Sequence, residues 1–132
     1  MQFRGFEPEG KTGDNDSMTP HLIDDTKGEP ERGAPAPDRL ISGSPQFETW
    51  STYESADGKY FTGLWRATPG CWRIVYTEWE YCEILDGISI VSAAGGTSVT
   101  LKAGDRFVLE PGFVGTWEVV ETTLKRYVIH LP

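Results

Sequence analysis

What this chain has little of sets the first limits on it. It holds two cysteines, Cys71 and Cys82, and two histidines, His21 and His130. Two cysteines make no disulfide framework, and neither lies in a CxxC pair. Unpaired thiols fit a reducing cytoplasm, which is the expected compartment. No apolar run approaches about 18 residues and no basic, apolar leader opens the sequence, so neither a membrane span nor a secretory signal is expected. Positive charge is in deficit too: 12 Lys and Arg against 20 Asp and Glu leave a net charge of −8. Nucleic acid and anionic membranes both need a basic face, and neither is expected as a partner. No window carries a convincing helical period, so helix content should be very low.

Aromatic residues are missing from one third of the chain. No Phe, Tyr or Trp falls between Glu7 and Gln46, and six of the nine prolines precede Phe47. Such a stretch buries too little apolar surface to offset its ordering entropy. Residues 1–46 are therefore expected to be an arm or tail, mostly irregular, with residues 47–132 as the one domain. That second part holds all five Trp and all five Tyr. At roughly 85 residues it is near the size where a single core is marginal, which makes a homodimer the expected state.

From Phe47 onward the signal is β. Short runs of Val, Ile, Thr, Tyr and Trp alternate with turns at Ala56-Asp57-Gly58, Pro69-Gly70, Gly95-Gly96, Ala103-Gly104-Asp105 and Pro111-Gly112. Nine strands are expected: 48–52, 59–67, 71–77, 81–86, 88–93, 97–101, 106–109, 115–120 and 125–130. Strand alternation puts Trp72, Ile74, Tyr76, Glu78, Glu80, Cys82 and Ile84 on one face, unless the turn near Thr77–Trp79 breaks the register.

Several short motifs occur in a compatible order: TGLWRATPGCWR, EYCEILDG, LKAGDRFVLEPGFVGTWEV and LKRYVI. On these, the chain from about Phe47 to Leu131 resembles the cupin superfamily. It looks like the small single-domain family related to the cupin domain of ureidoglycine aminohydrolase, with the ethanolamine-utilisation cupins as more distant relatives. The resemblance implies an all-β fold, the double-stranded β-helix or RmlC-like jelly roll, with the irregular arm in front of it. Dimers of such folds often pair through an outer sheet face, which the aromatics Trp79 and Tyr81 would suit if exposed.

A metal-binding cupin places two His one residue apart, then Glu, then Gly with six residues between. Counted back from Gly87, the Glu position is Glu80 and the His positions are Tyr76 and Ile74. The second-motif His falls on Gly115, beside Thr116 and Trp117. Only the Glu of the usual ligand set is present, so no metal is expected. If one binds, Glu80 and Glu78 would hold it, with His130 converging, and the resemblance implies manganese.

The candidate pocket is Tyr76, Glu78, Glu80, Cys82, Trp117 and Lys125. Glu80, facing inward, is the candidate general acid or base, or else a structural carboxylate. Glu78 reads as a solvated turn acid or as a second pocket carboxylate. Tyr76 orients a ligand or fills the core. Trp117 stacks on a ligand or closes the barrel. Lys125 pairs with Glu80 or Glu78, or else lies solvated at a strand edge. Cys82, with no histidine near to serve as its base, reads as an inert buried thiol. Arg66 and Arg73 suit an anion, though outer-face arginines are common. Two functions follow. One is a metal-free cupin binding a small polar metabolite. The other is a metal-dependent aminohydrolase resembling ureidoglycine aminohydrolase. A sugar-nucleotide epimerase fits less well, since it needs a His base.

Overall fold

The computed structural model describes residues 19–25 and 28–132. Residues 1–18 and 26–27, the rest of the expected arm, lie outside the described part. No helix occurs among the described residues, so none is long and apolar enough to cross a membrane. Nine antiparallel strands run in chain order: β1 (Glu31–Gly33), β2 (Leu40–Gly43), β3 (Phe47–Glu54), β4 (Tyr60–Ala67), β5 (Gly70–Val75), β6 (Trp79–Ala93), β7 (Ser98–Lys102), β8 (Arg106–Leu109) and β9 (Val114–His130).

Two of these are longer than the sequence implied. The runs expected as separate strands at 81–86 and 88–93 are one strand, β6, and those at 115–120 and 125–130 are one strand, β9. The pair bends instead of breaking. Gly87 takes φ +89°, and a Cβ there would run into the carbonyl of Thr122 on β9, so only glycine allows the backbones this close at the corner. The register of β6 against β9 shifts on both sides of Gly87, as a bulged corner requires.

The bend folds one sheet into two leaves. In the first, β1, β3, β4, the C-terminal half of β9, the N-terminal half of β6 and β8 lie side by side. In the second the order is β2, β5, the N-terminal half of β9, the C-terminal half of β6 and β7. Their facing sides enclose the core, giving an all-β jelly roll of the double-stranded β-helix type.

The expected arm takes part in this. β1 joins the edge of the first leaf beside β3, and β2 joins the edge of the second beside β5, so the segment between them passes from leaf to leaf. Both strands are short and largely exposed. Their pairing is through backbone, which is why a reading based on apolar content did not find them.

Inside, the aromatic residues pack edge to face. Trp65 and Trp117 have ring centroids 5.4 Å apart at 73°, and Phe47 lies 5.3 Å from Trp65 and 5.0 Å from Trp72. The inward face from Trp72 to Ile84 continues through the turn, with all seven alternating residues buried. Two backbone hydrogen bonds hold that turn in register, Tyr76 N–H to Phe113 O at 2.8 Å and Gly112 N–H to Tyr76 O at 2.7 Å. Trp79 and Tyr81 face outward but are half-buried, not exposed. The chain's own residues 19–25 also reach the first leaf. Asp25 pairs with Arg126 at 2.8 Å, and His21 packs on Tyr53 with ring centroids 5.5 Å apart.

Candidate functional site

Register brings the site together from strands distant in sequence. Lys125 on β9 lies opposite Trp65 on β4 and Ile84 on β6, so its side chain enters the interior between the leaves. Its ammonium is 2.9 Å from Oε2 of Glu80, and both side chains are fully buried. The same nitrogen lies 4.7 Å from the Trp65 ring centroid and 4.6 Å from that of Trp117. A cation between two indole faces is stabilised by their quadrupoles, the more so without water. The other carboxylate oxygen of Glu80 accepts the hydroxyl of Tyr76 at 2.5 Å.

The solvated strand-edge reading of Lys125 is thereby excluded. A lone buried ammonium or carboxylate would cost several kcal/mol, and pairing with additional hydrogen bonds is what makes such burial tolerable. Burial works to lower the pKa of Lys125, but Cys82 and Glu80 outweigh it and hold the ammonium above its ordinary value. Cys82 is itself pushed up to about 12, by burial first and then by the Glu80 charge. It is a neutral thiol at physiological pH, so Glu80 does the holding there. A buried thiol held protonated is a poor nucleophile.

Of the six pocket candidates, Tyr76, Glu80, Cys82, Trp117 and Lys125 form one cluster. Glu78 does not behave as a solvated turn acid: it is buried, and Oε1 accepts the Thr77 amide at 3.2 Å. Arg66 faces outward in a ladder with Glu48, which also pairs with Arg32, and Arg73 is exposed. Neither arginine is in the interior.

A second polar group was not foreseen. Ser89 and Thr123 are buried with hydroxyls 2.6 Å apart, and the Trp117 indole N–H donates to Ser89 Oγ at 3.1 Å. This fixes the Trp117 ring against Lys125. Tyr127, next on the same face of β9, is also buried, and its phenol pKa is raised by burial first and then by Glu80 and Glu31.

A metal of the cupin kind does not fit these residues. Ile74, Tyr76 and Gly115 stand at the imidazole positions, and Ile74 lies directly opposite Gly115. A Cβ at Gly115 would run into the carbonyl of Ser92, so no side chain fits there. His130 stacks on Tyr60 at 4.3 Å and 8°, on the outer face, away from Glu80. Both oxygens of Glu80 already have partners. Among the described residues no group of three His, Cys, Asp or Glu side chains is placed to hold an ion.

No curated relative matches the chain. Solved structures do. A protein of unknown function of the DUF861 family from Pseudomonas syringae has a TM-score of 0.72 at 23% identity, over 81% of this chain and 46% of that one. This chain thus spans under half of that protein's length. The EutQ protein of Clostridium difficile gives 0.59 at 16% identity, over 75% of this chain and 80% of that one. A predicted oxalate decarboxylase from Thermotoga maritima gives 0.62 at 20% identity, over 85% of this chain and all (100%) of the other. At such identities the likeness is one of fold. The sequence profile of the EutQ-like cupin domain matches residues 54–127, from the end of β3 to Tyr127 of β9. With that match over more than half its length, and the jelly roll to go with it, this chain belongs to the EutQ-like cupin family.

Proposed function

We propose that this protein is a metal-free cupin that binds a small polar metabolite in its barrel, around Tyr76, Glu80 and Lys125. One observation carries this reading. A buried ammonium, flanked by two indoles and paired with Glu80, lies where a cupin's metal would meet its carboxylate ligand. Such a site offers a cation, a carboxylate, a phenol and aromatic faces, the mixture that orients small polar ligands. Entry would pass the Glu110–Phe113 turn, whose backbone covers Tyr76 and whose Phe113 ring meets Tyr76 edge-on at 6.5 Å. The cytoplasm is the compartment that suits free Cys71 and Cys82. Self-association as a homodimer belongs to the same reading.

The test is a melting-temperature screen of small polar metabolites against the wild type, Lys125→Met and Tyr76→Phe. A ligand that raises the melting temperature of the wild type and loses that effect in both variants supports the site. Binding untouched by either change would overturn it.

A second reading has one observation in its favour, the survival of Glu80 at the carboxylate-ligand position. It is a manganese-dependent aminohydrolase resembling ureidoglycine aminohydrolase. Stoichiometric manganese after supplementation, lost in Glu80→Gln, together with turnover of ureidoglycine, would establish it in place of the first.

A further inference from the structure

We infer that β7 is the surface through which two copies of this chain associate, pairing edge to edge and antiparallel about a two-fold axis at Thr100. The inference rests on the self-association proposed above and on none of the pocket chemistry. Its basis is a comparison of sheet edges.

A free strand edge presents unpaired N–H and C=O groups, and proteins blunt such edges with charges, prolines or bulges. Among the described residues most edges are blunted. β1 carries Glu31 and Arg32, and β2 is bulged between Leu40 and Ser42. The part of β3 beyond β1 is bulged between Ser51 and Tyr53, and β8, though unbulged, is only four residues long and opens on Arg106. β7 differs. It pairs with β6 in unbroken register from Ile88↔Lys102 to Ser92↔Ser98, and its other side pairs with no described strand. Its sequence, Ser98-Val99-Thr100-Leu101-Lys102, has no proline and one charge, at its end.

Val99 marks where the fold is unfinished. It lies opposite Val91, on the face that points into the core, yet it is 54% exposed. A neighbouring strand would cover it.

The strand is its own complement. With Thr100 on the axis, Val99 falls opposite Leu101 of the partner subunit, and Thr100 falls opposite Thr100 of the partner subunit. Aliphatic and Thr–Thr cross-strand pairs are both favourable. Lys102, the one charge, falls opposite Ser98 of the partner subunit, so no like charges oppose each other. On a chain of net charge −8, an uncharged strip is also where two copies repel least. Five residues of pairing make a small interface, so the dimer forms at high protein concentration and salt strengthens it.

Sedimentation of the full chain, from micromolar to millimolar, tests this with Thr100→Lys, Thr100→Glu and Val108→Lys. Thr100 and Val108 are exposed, so the fold should tolerate each change, and melting curves check that it does. The wild type should dimerise with concentration. Thr100→Lys and Thr100→Glu, each placing like charges on the axis, should each weaken the dimer at least about tenfold. Mixing the two should restore a heterodimer. Val108→Lys, on the other leaf, should change nothing. A wild type that stays monomeric at millimolar concentration overturns the pairing and the self-association together. A dimer that resists Thr100→Lys, or is lost in Val108→Lys instead, leaves self-association standing and overturns the edge.

Discussion

Oε2 of Glu80 and Nζ of Lys125 are 2.9 Å apart, and neither side chain has any contact with solvent. Two buried charges this close depend on each other. Removing either leaves an unpaired charge in a dry interior, at a cost of about 3–5 kcal/mol. Glu80→Gln and Lys125→Met should each lower the unfolding free energy, read from urea titration, by an amount in that range. The double variant should lose less than the two single losses summed, by about 1–3 kcal/mol, since it strands no charge. Additive losses would show that the two residues act apart.

Gly115 offers a test of the corner where an imidazole is missing. Gly115→Ala places a Cβ against the Ser92 carbonyl, and β9 must move off β6 to admit it. A loss of about 1–3 kcal/mol is expected, read as a lower melting temperature. Gly95→Ala, where a Cβ meets nothing within 4 Å, should be close to neutral.

The cysteines should separate by reactivity and by pH. A thiol reagent at mildly alkaline pH should label Cys71, which is half-buried, well before Cys82. Labelling of Cys82 should follow the rate of unfolding. Its folded pKa of about 12 lies above the ordinary 9.0, so between those values the folded state holds a proton that the unfolded state has released. The associated stability is complete below pH 9 and is lost as pH climbs towards 12. Lys125, also raised, loses its contribution in the same direction. Denaturant titrations of the wild type and Cys82→Ala should show a shallower alkaline decline in the variant.

Glu48 tethers β1 to its leaf by pairing with Arg32 on one side and Arg66 on the other. The hydrogen bond from Arg66 is the main cause holding its carboxyl below the usual range, against the opposing effect of burial. The tether is present above the ordinary carboxylate pKa and lost as pH falls through the lowered one. Glu48→Gln should speed amide exchange across 31–33, with little change in global stability because the pairs are near the surface. Unchanged exchange would mean that the backbone ladder alone holds β1.

Much of this was legible in residue order. The alternation from Trp72 to Ile84 gave the inner face, because strand side chains repeat every second residue and a core side is apolar. Glu80 was found by its position relative to Gly87. For Lys125 residue order left two readings open, a pair with Glu80 or Glu78 and a solvated strand edge, since the choice depends on β9 lying between β4 and β6, and pairing between distant segments leaves no local trace. Ser89 and Thr123 escaped for a related reason: small polar residues read as outward until a partner hydroxyl appears across the sheet. β1 and β2 carry no alternation at all, being exposed on both faces, so nothing local separated them from irregular chain. The join at Gly87 looked like a turn, because glycine serves a bend and a break alike.

β6 and β9 each run through both leaves, and that decides how the molecule can come apart. Neither leaf owns a complete set of strands, so peeling one away must tear backbone hydrogen bonds out of the other. Loss of structure in one leaf is therefore felt at once in its neighbour, and the barrel should melt as one cooperative unit. A fragment ending near Gly87 would keep parts of both leaves and the whole of neither, and so should not hold a fold by itself.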